Sequence, residues 1–144
     1  MKEDQKSDAE VVETLDAMLR AYQGRDLEGV MRCYADDPDV TALGTNLDQF
    51  AVGAEKIREA YQEDFEGFDR LNIEMEGCQV SIEGHVAWVA APCKAAFEVE
   101  GETISSDARL TGVLVKQGNQ WRIIQFHLSF PADQQRTAAA TQRL

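Results

Sequence analysis

The sequence is short of basic residues, cysteine and long apolar runs, and each shortage closes off a class of function. Fourteen Lys and Arg stand against 26 Asp and Glu, a formal charge of −12 with both histidines neutral. The basic residues are scattered singly among carboxylates, so no cluster exists to neutralise a phosphate backbone. Neither nucleic acid nor an anionic membrane surface is an expected partner. The cysteines, Cys33, Cys78 and Cys93, are odd in number, widely spaced and lack a C-x-x-C; they read as buried free thiols in a reducing compartment. The N-terminal Met-Lys-Glu-Asp-Gln-Lys-Ser-Asp has none of the apolar run of a secretory signal, which makes the cytoplasm the expected location. The longest apolar stretch, around Val86 to Phe97, contains Lys94 and falls well short of the roughly 20 residues that span a bilayer.

What is present suffices for one core. The 144 residues are 44% hydrophobic, and a domain of that size buries roughly 70% of the surface its unfolded chain exposes. Ser7-Asp8-Ala9-Glu10 has the form of a capping box and predicts a helix start. Val11, Leu15, Met18 and Tyr22 then fall on one helical stripe that stops near Gly24. A second, shorter helix runs from about Asp26, with Leu27, Val30, Met31 and Tyr34 on one face, and Asp36-Asp37-Pro38 ends it. Val40 to Gly44 and Gln49 to Val52 read as two short strands about a Thr45-Asn46-Leu47-Asp48 turn. Gly53 releases a third helix whose face is Ile57, Ala60, Tyr61, Phe65 and Phe68. From Leu71 the period changes to two, predicting four strands over Leu71–Ile82, His85–Val99, Thr103–Lys116 and Gln120–Phe130. Helices first and an antiparallel meander afterwards is an α+β pattern. Residues 1–7 and 132–144 have little to bury and are expected to be flexible, leaving residues 8–131 as a single domain.

Motifs that carry chemistry are sparse. Gly53 stands alone where a phosphate-cradling loop would need several glycines. His85 and His127 lie on different strands without ligand spacing, so no metal site is expected, and no G-x-S-x-G nucleophile elbow occurs. Nothing in the pattern implies a cofactor. Alternation on the last strand separates Trp121, Ile123, Gln125, His127 and Ser129 from Arg122, Ile124, Phe126, Leu128 and Phe130. The second set is the more apolar and should meet the helices, unless a bulge reverses the register. The first set is too apolar to leave wet and suits contact with a second subunit. Charges inside strands invite two readings each. Arg109 either pairs with Asp107, two residues away, or contacts a ligand, and Lys94 either sits solvated beside Pro92 or points at something. His127 is either an interface hydrogen-bonder or a catalytic group, and Trp88 and Trp121 either pack or stack on a ligand.

Several stretches together resemble the SnoaL-like domain of the nuclear transport factor 2-like superfamily, which has a cystatin-like fold. They are Asp26-Leu-Glu-Gly29, Tyr34-Ala-Asp-Asp-Pro-Asp-Val40, Leu43-Gly-Thr45, Gly53 with Ile57, Arg109-Leu-Thr-Gly-Val-Leu-Val-Lys116, Gly118-Asn-Gln-Trp-Arg-Ile-Ile124 and His127-Leu-Ser129. The resemblance implies three N-terminal helices packed against a strongly curved, mostly antiparallel sheet that forms a cone with an apolar pocket. It also implies a homodimer through the outer sheet face. In the register set by Asp26-Leu-Glu-Gly29 and Tyr34-Ala-Asp-Asp37, the general-base aspartate of ketosteroid isomerases falls on Ala42 and their oxyanion-stabilising tyrosine on Met18. Both catalytic groups are therefore missing. The spacing Trp121, His127, Ser129 is similar to the association domain of calcium/calmodulin-dependent kinases, whose pocket arginines align with Gly112 and Leu128 here.

The expected protein is a homodimer whose pocket, lined by Met18, Tyr22, Tyr34, Ala42, Trp88, Phe126 and Leu128, binds a small hydrophobic or aromatic molecule. Two alternatives stand beside it: a cyclase, isomerase or dehydratase using His127 and Arg109, and a pure association module with a vestigial pocket. The carboxylates, Asp64 among them, are assigned to a solubilising shell, and none is expected in the pocket.

Overall fold

A computed structural model describes residues 2–133; of the flexible tail expected over residues 132–144, residues 134–144 lie outside the described residues. The first helix, α1 (Lys2–Gln23), buries Val11, Leu15, Met18, Leu19 and Tyr22. It begins ahead of the predicted capping box, so Ser7 and Glu10 are interior positions and the segment expected to be flexible is helical from Lys2. Lys, Glu and Gln in Lys2-Glu-Asp-Gln-Lys6 are good helix formers, and this propensity carries the helix past the box. Helix α2 (Leu27–Arg32) starts where the sequence indicated, with Asp26 as N-cap accepting from the Gly29 amide at 3.0 Å.

Arg25 joins this corner to the third helix, α3 (Ala54–Gly67). Its backbone takes a positive φ of 59°, and its guanidinium donates to the carbonyls of Phe65 and Phe68 while lying 5.6 Å from the centre of the Phe65 ring. Those carbonyls are the unpaired acceptors at the end of α3, where a cation is also favoured by the helix dipole. Ile57, Tyr61 and Phe65 form the buried stripe of α3.

The seven strands are β1 (Thr41–Leu43), β2 (Phe50–Val52), β3 (Arg70–Met75), β4 (Gln79–Glu83), β5 (Val86–Val99), β6 (Glu102–Gln117) and β7 (Gln120–Ser129). They form one open, mixed sheet in the order β2-β1-β7-β6-β5-β3, with β4 pairing the other half of β5. All pairings are antiparallel except β1 with β7. The single strand expected over Leu71–Ile82 is thus two. Pro92 supplies the reason: its carbonyl accepts from the Glu76 amide at 2.8 Å, so this edge of Pro92 faces β3 and β4, yet proline has no N–H to return. The ladder breaks opposite it, and Gly77, at φ 101°, turns the chain between β3 and β4.

A bulge in β7 has larger consequences. Val113 of β6 pairs with Gln125 and Leu114 with Ile123, so Ile124 has no opposite number. Side-chain alternation therefore slips by one within β7. Before the bulge Trp121 and Ile123 are buried against the helices; after it Phe126 and Leu128 are. This corrects the expectation that Trp121 and Ile123 share the outer face with His127. Thr14 on α1 donates to the Trp121 carbonyl at 2.9 Å, and the Ile123 backbone exchanges hydrogen bonds with Cys33 and Ala35. On β5 and β6 the helix-facing set is Ala87, Val89, Ala91, Cys93 and Ala95 with Ala108, Leu110 and Leu114, all buried.

Candidate functional site

Between α1, α3 and the helix-facing side of the sheet lies a cavity of about 1100 Å³. Its walls include Met18, Leu19, Tyr22, Ala42, Ala60, Tyr61, Ile73, Ala95, Phe126 and Leu128, and Phe68, Phe97, Phe130 and Ile104 also line it. Three of these aromatics form a chain, with Phe68 and Phe97 ring centres 5.1 Å apart and Phe97 and Phe130 6.0 Å apart. The half-exposed Ile104 marks where the cavity opens.

One carboxyl group is held in this apolar wall. Asp64 lies three residues after Tyr61 on α3, so both share the helix face turned to the cavity. Tyr22 donates its hydroxyl hydrogen to Asp64 Oδ2 at 3.0 Å, and Gln49 Nε2 approaches Asp64 Oδ1 at 3.4 Å. Gln49 is itself oriented, because its Oε1 accepts from the Asn46 amide at 3.0 Å. Gly44 makes that possible: a Cβ there would sit 2.5 Å from Gln49 Oε1, so only glycine lets the side chain fold across the β1–β2 turn. Burial pushes the Asp64 carboxyl above the usual aspartate range, the Tyr22 hydrogen bond acts in the opposite direction, and Glu63 adds to the rise. Burial likewise pushes Tyr22, Tyr34 and Tyr61 upward, so all three phenols remain protonated donors.

The residues expected in the pocket separate into three groups. Met18, Tyr22, Ala42, Phe126 and Leu128 line the cavity. Tyr34 stands behind its wall, with its hydroxyl 2.6 Å from that of Tyr61, which in turn lies 3.9 Å from Met18 Sδ. Trp88 does not line it: it projects from the opposite face of β5, half exposed, because its neighbours Ala87 and Val89 take the inward positions. Arg109, His127 and Ser129 are also on that opposite face, around a shallow depression with Pro92 and Thr111. Lys94 pairs with Asp107, its register partner on β6, so Asp107 does not serve Arg109 as the sequence suggested. Asp64 was assigned to the solvated shell and is instead in the cavity. Its signal was available in the sequence, since position 64 falls on the stripe of Ile57, Ala60, Tyr61 and Phe68.

Known proteins match this architecture. A profile of the SnoaL-like domain matches residues 11–133, most of the chain. The chain belongs to the SnoaL-like family. No curated protein matches it. Among solved structures, this SnoaL-like chain is similar to a candidate dehydratase of the nuclear transport factor 2-like family from Streptomyces avermitilis, at 14% identity and a TM-score of 0.79 over 88% of this chain and 98% of that one. It is similar to a candidate scytalone dehydratase from Novosphingobium aromaticivorans at 12% identity and a TM-score of 0.79, covering 91% and 89%. A protein of unknown function with a cystatin-like fold from Nostoc punctiforme aligns at 14% identity and 0.73, covering 86% and 90%. At such identities the likeness establishes the fold alone.

Within that fold, Ala42 and Met18, the positions aligned with the ketosteroid isomerase base and oxyanion donor, do face the cavity but offer a methyl group and a thioether. Asp64 reaches the same space from a different helix. Because its folded pKa lies above the ordinary value of 3.8, its ionised form weakens the fold. Its contribution is most favourable below the unfolded pKa and is lost as pH rises through the folded one. Carbon-13 NMR of the carboxyl groups should show Asp64 titrating above the ordinary aspartate range. Tyr22→Phe, which removes a bond to the ionised form, should raise it further; a downward shift in that variant would contradict the assignment.

Proposed function

We propose that this SnoaL-like chain binds a small hydrophobic or aromatic molecule in the cavity and acts as a homodimer. The observation that carries the reading is an apolar, aromatic-rich wall of Met18, Phe68, Phe97, Phe126 and Leu128, into which Tyr22, Gln49 and Asp64 bring one hydrogen-bonded polar cluster. Such a composition gains affinity from apolar burial and orientation from a few hydrogen bonds. A pure association module with a vestigial pocket would fill this space with its own side chains, and the described residues leave about 1100 Å³ unfilled.

An enzyme of the cyclase, isomerase or dehydratase type is the second reading, and Asp64 is the observation that favours it. A reaction in the cavity needs its acid or base inside, and His127 and Arg109 are on the other side of the sheet. Asp64, with a carboxyl displaced upward and a phenol hydrogen-bonded to it, meets that requirement. The dehydratase descriptions of two structural neighbours are in keeping with it.

The dimer reading rests on the sheet face opposite the helices. There Trp88, Val86, Phe50 and Val52 are 41–63% exposed. Two copies carrying −12 each repel one another, so contact is favoured where charge is sparse. Across the outward positions Val86–Pro92, Arg109–Val113 and Gln125–Ser129, Arg109 is the one formal charge. Depletion of charge around an aromatic anchor is the pattern of an interface core.

Saturating 1-naphthalenemethanol, an uncharged aromatic probe, should raise the melting temperature by about 5–10 °C at 100 times its Kd. Ala42→Trp, which projects an indole into the cavity, should reduce the rise, and a rise unchanged by this variant would place the probe elsewhere. Sedimentation should give twice the 16.0 kDa of one chain, and Trp88→Glu should return it to a monomer; a wild-type monomer at micromolar concentration would refute the dimer.

A further inference from the structure

The reading of the cavity as a ligand site leaves open what chemistry the ligand bears, and the surroundings of Asp64 narrow it. Both carboxyl oxygens are engaged by neutral donors only, Tyr22 on Oδ2 and Gln49 on Oδ1. No Lys or Arg among the described residues makes an ion pair with it, and the charge that acts on it is the like charge of Glu63. A half-buried carboxylate held by donors alone is stabilised as an acceptor but lacks a counter-ion.

Beyond Asp64, the described lining includes the carboxylate of Glu74, and its cation, Lys94, is bound to Asp107. Tyr61, one turn before Asp64 on α3, and Phe68, the residue that follows α3, also line the cavity, and aromatic faces attract organic cations. The whole chain, at −12, draws cations and repels anions.

We propose that the ligand is a hydrophobic or aromatic amine, bound as its cation, with the ammonium group on Asp64 and the apolar body against Met18, Phe126 and Leu128. Tyr22 and Gln49 hold the carboxylate so that its remaining lone pairs meet the ammonium. A carboxylic acid of the same shape would bring a second anion to Asp64 and would be rejected.

Calorimetric titration of the full chain at pH 7 with 1-naphthylmethylamine, 1-naphthalenemethanol and 1-naphthoic acid tests this, because the three share one aromatic body. The amine should bind at least about tenfold more tightly than the alcohol, the gain of a charge-assisted hydrogen bond, and the acid more weakly than either. Asp64→Asn, which changes the total charge by only one, should bring amine and alcohol within about twofold. Equal affinities for amine and alcohol, tightest binding of the acid, or an amine preference that survives Asp64→Asn would overturn the proposal while leaving the cavity as an aromatic site. If none of the three binds, both the amine proposal and the ligand-binding reading fail. The wild-type order of affinities decides the matter even if the variant does not fold.

Discussion

The extra residue at Ile124 hands the inner face of β7 from Trp121 and Ile123 to Phe126 and Leu128, and both halves of the molecule depend on that handover. On one side of it, Trp121 and Ile123 anchor α1 and the segment after α2 through side-chain burial and the backbone bonds to Thr14, Cys33 and Ala35. On the other side the strand presents two large apolar side chains to the cavity and turns Gln125 and His127 outward. Without the bulge, a strand that buried Trp121 and Ile123 would have to direct Gln125, His127 and Ser129 into the cavity. The choice between an apolar pocket and a histidine-lined one is thus made by one unpaired backbone position.

The polar chemistry that remains in the cavity enters from the helices and the β1–β2 turn. α3 brings Asp64, α1 brings Tyr22, and Gly44 leaves the space through which Gln49 reaches them. Arg25, bonded to the carbonyls at the end of α3, fixes the helix turn that carries Asp64. Three separate stretches of sequence therefore converge on one carboxyl group, which is the arrangement expected of a positioned group and not of a surface charge.

Much of the fold was legible. The helical stripes of Val11–Tyr22 and Ile57–Phe68 and the turn glycines at 84, 101 and 118 mark elements that the structure contains, and the resemblance carried by Asp26 to Gly29 and Tyr34 to Val40 named the correct family. The parallel pairing of β1 with β7 and the split of β3 from β4 were not, because each depends on a partner strand: a missing N–H at Pro92 acts on residues 76–78 across a ladder. The site was legible in half. Met18, Tyr22, Ala42, Phe126 and Leu128 follow from stripe and family register, whereas Trp88 was misassigned to the pocket against the alternation that Ala87 and Val89 already showed. Asp64 was missed because its charge outweighed its position, although 64 belongs to the apolar stripe of its helix.

The account stands most directly on which side chains of β7 meet the ligand. Methyl and imidazole NMR spectra, recorded as an aromatic ligand is titrated in, separate the two faces in a single experiment. The structure predicts shifts at the methyl groups of Leu128, Ala42 and Met18 with the His127 imidazole unmoved. Shifts centred on His127 with Leu128 unmoved would contradict it.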